Sequence, residues 1–231
     1  MLDIAQLCVS YGKVDVLHDV SMHVGRNEFV ALLGPNNAGK TTLLRAISGL
    51  VPAGSGSVKF ADADIGNLRS DQIVARGVIH IPEGRHIFAD LSVEENLLVG
   101  GARLKTQARR RRLDELLAAL PLLAELKSRR AGTLSGGQQQ LVVISRALMA
   151  EPRLLLIDEP TLGLSPVAID EVFTTLRNVH STGTTILLSE QNAELSLDLC
   201  SRGYVMAGGR IVLEGDSAQL KEAALGKVYL T

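Results

Sequence analysis

Gly34-Pro35-Asn36-Asn37-Ala38-Gly39-Lys40-Thr41 has the spacing G-x-x-x-x-G-K-[ST]. Such a run suits one kind of chemistry. Its backbone N–H groups turn inward and wrap phosphate oxygens. A lysine ammonium then reaches the outer phosphates as a point charge, and a hydroxyl helps to hold Mg²⁺. Lys40 and Thr41 stand at those places, with Thr42 next in the chain. Context argues against a chance match in a glycine-containing turn. Residues 29–33 are a short continuous apolar run stopped by Gly34, and 40–50 has helical spacing. A helix starting at the loop adds its positive N-terminal end to the cradle.

A phosphate site of this kind needs an acidic half. The apolar run 154–157 is followed at once by Asp158-Glu159-Pro160. A carboxylate at the carboxyl end of a buried parallel strand points into the ligand crevice of such sheets. Asp158 is expected to bind Mg²⁺ through water, and Glu159 to polarise an attacking water. A third feature is Leu134-Ser135-Gly136-Gly137-Gln138, which precedes the apolar stretch 141–150. Ser135, Gly136 and Gly137 would expose N–H groups and a hydroxyl at a helix start, a second anion cradle. Alone, the run also reads as an ordinary helix cap. Its place about 20 residues before Asp158 and about 95 after Lys40 gives it weight.

The elements around these residues alternate between strand and helix. Residues 2–9 and 14–24 read as strands split by Tyr11-Gly12-Lys13. Residues 54–57 read as a turn before a strand at 58–60. From 92 to 150 the character is helical: Ser92-Val93-Glu94-Glu95 is a capping box, and 113–120 is an apolar helix ending at Pro121. The run Arg109–Arg112 reads as a solvated helix face. After 150 come a buried strand at 154–157, a helix at 169–179, a β-branched strand at 184–188 and a hairpin at 203–212.

Composition excludes other classes. The chain is 46% hydrophobic, enough for a sizeable core, which excludes intrinsic disorder. Its 24 basic and 25 acidic residues leave a net charge of −1, which argues against a nucleic-acid partner. Aromatics make up 3%, too few for a stacking platform. Cys8 and Cys200 are too isolated for a disulfide framework and read as small core residues, which suits a reducing compartment. No run approaches the roughly 18 apolar residues of a membrane span, and no secretory leader is visible, so membrane work is expected to go through a partner.

Together the three motifs resemble the nucleotide-binding subunits of ATP-binding cassette (ABC) transporters, over essentially the whole chain. The resemblance implies an α/β fold. This would be a P-loop NTPase core, about 1–90 and 151–231, with an N-terminal antiparallel β-subdomain and an α-helical subdomain inserted at about 91–150. It implies ATP and Mg²⁺ as cofactors, and a dimer, homo- or heteromeric, with two ATP molecules at its interface. Ser135, Gly136 and Gly137 of one subunit would then meet the γ-phosphate of ATP held by the 34–41 loop of the other. Tyr11, followed by Gly12, falls where the family stacks an aromatic ring on adenine. Two membrane-spanning permease subunits, and indirectly an extracytoplasmic substrate-binding protein, would be the partners, with this subunit peripheral on the cytoplasmic face of the inner membrane.

Finer features resemble one subgroup, the second ATPase of branched-chain amino acid importers. Pro82-Glu83-Gly84-Arg85 stands where most cassettes carry a Gln, and Glu83 would face Mg²⁺ there. Leu162-Gly163-Leu164-Ser165-Pro166 replaces a segment with Asp in other cassettes. Gln191, in Ser189-Glu190-Gln191-Asn192-Ala193, replaces a His and is expected to bridge phosphate, water and Glu159. The segment from Glu83 to about Gly101 would pass motion to the permeases. Asn37 departs even from the subgroup, where Gly is usual. Asn is the non-glycine residue that best tolerates positive φ, so the loop is expected to form. Other cargo, such as urea, short amides or lipopolysaccharide, and a low-activity regulatory module are the alternatives. Intact Lys40, Thr41, Asp158 and Glu159 argue against the last.

Overall fold

The computed structural model describes residues 1–225 and resolves them into two units. The first comprises Met1–Pro82, Arg153–Glu159 and the described residues from Val179 on. The second comprises Glu83–Pro152 and Pro160–Asn178.

Two sheets build the first unit. β1 (Leu2–Tyr11), β2 (Val14–Val24), β4 (Ser55–Phe60) and β5 (Ala63–Asp64) form an antiparallel sheet in the order β2-β1-β4-β5. The second sheet has the order β10-β9-β3-β8-β7-β6. Its members are β3 (Phe29–Leu33), β6 (Val78–Ile81), β7 (Leu154–Asp158), β8 (Thr185–Glu190), β9 (Arg202–Ala207) and β10 (Arg210–Asp216). Pairing is parallel from β9 through β6, and only the β9–β10 hairpin is antiparallel. β3 and β7 are buried at every residue, as continuous apolar runs in a covered parallel sheet must be. The unit also holds α1 (Lys40–Ile47), α2 (Ser70–Val74), α8 (Ala193–Leu197) and α9 (Ser217–Leu225). The aliphatic core joins β1, β2 and β4 to α1, β3 and β7 through Leu7, Val20, Leu32, Leu43, Val58 and Leu156.

The second unit is helical: α3 (Val93–Gly100), α4 (Thr106–Ala119), α5 (Pro121–Leu126), a 3-10 turn (Ala131–Thr133), α6 (Gly136–Leu148) and most of α7 (Pro166–Ser181). Ser92 caps α3 as expected, accepting from Glu95 N while the Glu95 carboxylate accepts from Ser92 N. The arginine run lies on α4. Arg110 pairs with Glu94 and Arg111 with Glu115, while Arg112 donates to the Leu148 carbonyl.

Local departures from the expected boundaries have physical causes. Residues 55–57 extend β4 instead of turning. Gly56, at φ +88°, lets this strand approach β1 where a Cβ would lie 2.4 Å from the Gln6 carbonyl oxygen. Helix α1 stops at Ile47, three residues short of expectation, because Gly49 turns left-handed at φ +69°. Pro121 ends one helix and also opens α5 at its first turn, where a missing N–H costs nothing. The β9–β10 turn matches expectation, with Gly208 and Gly209 both at positive φ.

Candidate nucleotide site and helix-capped cradle

The parallel register of the first unit brings the chemical residues to one sheet edge. Gly34 follows β3, Asp158 ends β7, and Glu190 ends β8. Leu33 is level with Glu190, and Asp158 with Ser189. Residues 34–39 therefore leave the carboxyl end of the sheet and run into α1.

Two glycines in this loop are required by space. A Cβ on Gly34 would sit 2.4 Å from the Met206 carbonyl oxygen, and one on Gly39 would sit 2.8 Å from Leu17 Cδ2. Asn37 adopts φ +65°, the left-handed conformation its residue type was expected to tolerate. Pro35, Asn36 and Asn37 are exposed, while Ala38 and Gly39 are buried and Ala38 N bonds back to Pro35 O at 3.2 Å.

Lys40 is 5% exposed and curls over this loop. Its Nζ donates to Gly34 O at 2.7 Å and Pro35 O at 3.1 Å, and lies 3.1 Å from Glu159 Oε1. Glu159 Oε2 accepts from the main-chain N–H of Gln191 at 3.3 Å. Glu159 itself holds φ +46°, an uncommon conformation for a non-glycine residue, fixed by its own N–H bonding to Ser189 O at 2.9 Å. The Gln191 side chain is exposed.

Asp158 is 1% exposed. Its Oδ1 accepts from Ser189 Oγ at 2.8 Å, whereas Oδ2 is buried with no hydrogen-bond partner. A buried carboxylate oxygen left open in this way fits a cation or its bound water. Among the described residues no cluster of three or more His, Cys, Asp or Glu could hold a metal alone. Thr41, at the head of α1, is half-buried, and Thr42 is buried. Tyr11, at the end of β1, is 43% exposed. Sequence reasoning missed His80 on β6, whose Nδ1 lies 3.0 Å from Ser48 Oγ. Burial pushes its pKa down to about 4, against the pull of the Asp158 charge.

In the second unit Ser135 is the N-cap of α6. Its Oγ accepts from Gln138 N at 3.3 Å, and Gln138 Oε1 accepts from Ser135 N at 3.0 Å. The run is thus a helix cap, the simpler of its two readings in the sequence. The first turn carries no acidic residue. A Cβ on Gly137 would meet Ala168 Cβ at 2.6 Å, and one on Gly136 would meet Arg85 Nη2 at 2.7 Å. Arg85 therefore lies against the first turn of α6, and its only signal in the sequence was membership of the Pro82–Arg85 run. Glu83 is exposed at the start of this unit, with His86 Nε2 2.9 Å from its carbonyl oxygen.

The family model described as "ABC transporter" matches residues 17–162. The high-affinity branched-chain amino acid transport ATP-binding protein BraG of Pseudomonas aeruginosa is 42% identical over 220 residues, 95% of this chain and 94% of that one. A probable branched-chain amino acid transport ATP-binding protein LivF of Archaeoglobus fulgidus is 34% identical, over 96% and 94% of the two chains. The lipopolysaccharide export ATP-binding protein LptB of Escherichia coli is 33% identical, over 97% and 94%. Among solved structures, a nucleotide-free ATP-binding cassette from an ABC transporter superposes with a TM-score of 0.89 at 28% identity, covering 98% of this chain and 95% of that one. A cassette in its ADP conformation gives 0.86 at 27%, covering 99% and 95%.

Proposed function

The chain belongs to the ABC transporter family and is an ATP-hydrolysing subunit of it, and we propose that it drives import of branched-chain amino acids from the cytoplasmic face of the membrane. The cargo reading rests on the names of BraG and LivF, together with the Glu83 and Gln191 replacements already described. Permease subunits would take the motion from the 83–101 segment, where Phe88 and Val99 are exposed.

One observation carries the chemistry. Lys40 and Glu159 hold each other beside the loop while Asp158 keeps a buried oxygen open. Phosphate oxygens of ATP replace the Gly34 and Pro35 carbonyls as acceptors for Lys40, with the loop N–H groups and Thr42 adding donors. Tyr11 supplies a face for adenine. Mg²⁺, held by Thr41 and Asp158, would neutralise charge developing on the transferred phosphate. Ser189 fixes the Asp158 carboxylate through Oδ1 and leaves Oδ2 directed to that task.

Glu159 is the proposed general base. While Lys40 holds Oε1, that oxygen is engaged by the ammonium and is not free to take a proton from water. Drawing Lys40 onto phosphate frees Oε1 to accept the proton of the attacking water. The Gln191 N–H keeps the other oxygen in place, and the Gln191 side chain positions water and γ-phosphate. Base activation is thereby tied to the arrival of substrate. Ser135, Gly136 and Gly137 close the site from a second copy. The Ser135 hydroxyl accepts within its cap, so its own proton stays available to a phosphate oxygen.

Light scattering with saturating ATP tests this. Glu159→Gln should bind ATP, lose most turnover and accumulate as a dimer. Adding Ser135→Arg should abolish the dimer by filling the cradle. An equal monomer population in both proteins would refute the composite site.

A further inference from the structure

Arg146 lies on the second unit's α6, about three turns past the Ser135 cap. It is a half-buried cation that makes no ion pair among the described residues. Its Nη2 donates to His86 O at 2.8 Å, its Cζ lies 5.2 Å from the centre of the Phe88 ring, and its Nη1 is buried with no hydrogen-bond partner. A guanidinium left half-satisfied in this way costs stability relative to an apolar residue of similar size. Close packing fixes its surroundings: a Cβ on Gly100 of α3 would lie 1.9 Å from the Arg146 carbonyl oxygen.

Anchoring the loop does not need this arginine. Asn96, fully buried on α3, accepts from Phe88 N at 3.0 Å and donates to Phe88 O at 3.0 Å and Ser92 O at 2.9 Å. The Phe88 backbone is therefore already clamped. Arg146 adds a hold on the residue two before it and a cation over the ring of Phe88, a residue that remains 47% exposed. Both contacts join the loop to the helix whose first turn is the anion cradle.

We infer that Arg146 is a positioning residue that links the cradle-bearing helix α6 to the pose of Phe88, so that engagement of phosphate at Ser135–Gly137 is felt at the loop offered to the permease. This rests on the proposed composite ATP site. An α-helix is stiff over three turns, so a shift at the head of α6 is carried to the Arg146 side chain. The arginine then moves the His86 carbonyl and the aromatic ring together, while Asn96 serves as the pivot.

The chain has no Trp, so Phe88→Trp introduces a unique fluorophore that keeps an aromatic face for the cation. In a protein carrying Phe88→Trp and Glu159→Gln, ATP with Mg²⁺ should shift the emission of the introduced indole as the dimer forms. Adding Arg146→Met should leave dimer formation by light scattering intact and remove most of the ATP-dependent shift; Arg146→Gln takes its place if the Met variant does not fold. An undiminished shift without the arginine overturns the inference, as does loss of the dimer in a folded Arg146 variant. Absence of an ATP-driven dimer in the arginine-bearing protein refutes the composite site itself and this inference with it. A dimer without any change in the indole emission refutes only the linkage.

Discussion

His80 should make the fold acid-sensitive by an amount that its surroundings set. Ser48 Oγ lies 2.9 Å from Leu44 O and donates there, so toward His80 it acts as an acceptor. The imidazole must then carry its proton on Nδ1, leaving Nε2 as a buried lone pair with no partner. Protonation would bury a new N–H with nothing to receive it. Burial and, to a lesser degree, the Arg45 charge oppose the imidazolium and together outweigh the pull of Asp158, holding the pKa at about 4. An unfolded histidine titrates near 6.5, so below that pH the unfolded chain binds more protons than the folded one. Stability from this residue is complete above about pH 6.5, falls as pH drops, and stops falling at about 4. Between pH 7 and pH 5 the loss works out at about 2 kcal/mol. Urea unfolding at both pH values measures it. His80→Asn keeps a donor at the Nδ1 position but has nothing to protonate, and should lose about 2 kcal/mol less over that interval. The same pH dependence in the two proteins would refute the assignment of a buried neutral imidazole.

Substitutions at two positions probe the proposed site directly. Asn37 sits at φ +65°, so Asn37→Gly should leave ATP affinity equal or tighter, while Asn37→Val should weaken it by about 1–2 kcal/mol, roughly tenfold in Kd, read by nucleotide titration. Unchanged affinity in Asn37→Val would mean that the loop does not keep this conformation with nucleotide bound. Gln191→Ala preserves the main-chain N–H that Glu159 accepts, so its effect isolates the side chain. We expect a loss of about 2–4 kcal/mol of transition-state stabilisation in steady-state ATPase assays, with Gln191→His retaining hydrolysis. Full activity in Gln191→Ala would leave positioning to the backbone alone.

Legibility in the sequence followed the range of each interaction. A phosphate loop is made by consecutive backbone groups, so Gly34 to Thr41 declared both its position and its conformation, down to the left-handed Asn37. Ser135 likewise announced its cap, because a capping box closes over three residues. Contacts set by strand register were silent. Residues 184–188 read as a strand, yet only parallel pairing of β8 with β7 puts Ser189 level with Asp158 and its hydroxyl on Oδ1. His80 was hidden for the same reason: Val78–Ile81 is four residues long, and its place beside β7 gives the histidine its meaning. Arg85 and Arg146 were silent too, since nothing local marks a guanidinium that ends against Gly136 or over the Phe88 ring. These silent residues stand beside the readable motifs rather than inside them. In the proposed site the loop and the cap would define what is bound, while Ser189 holds the Asp158 carboxylate and Arg85 and Arg146 lie along α6. Regulation of the chemistry is therefore to be sought among the residues that the motifs do not contain.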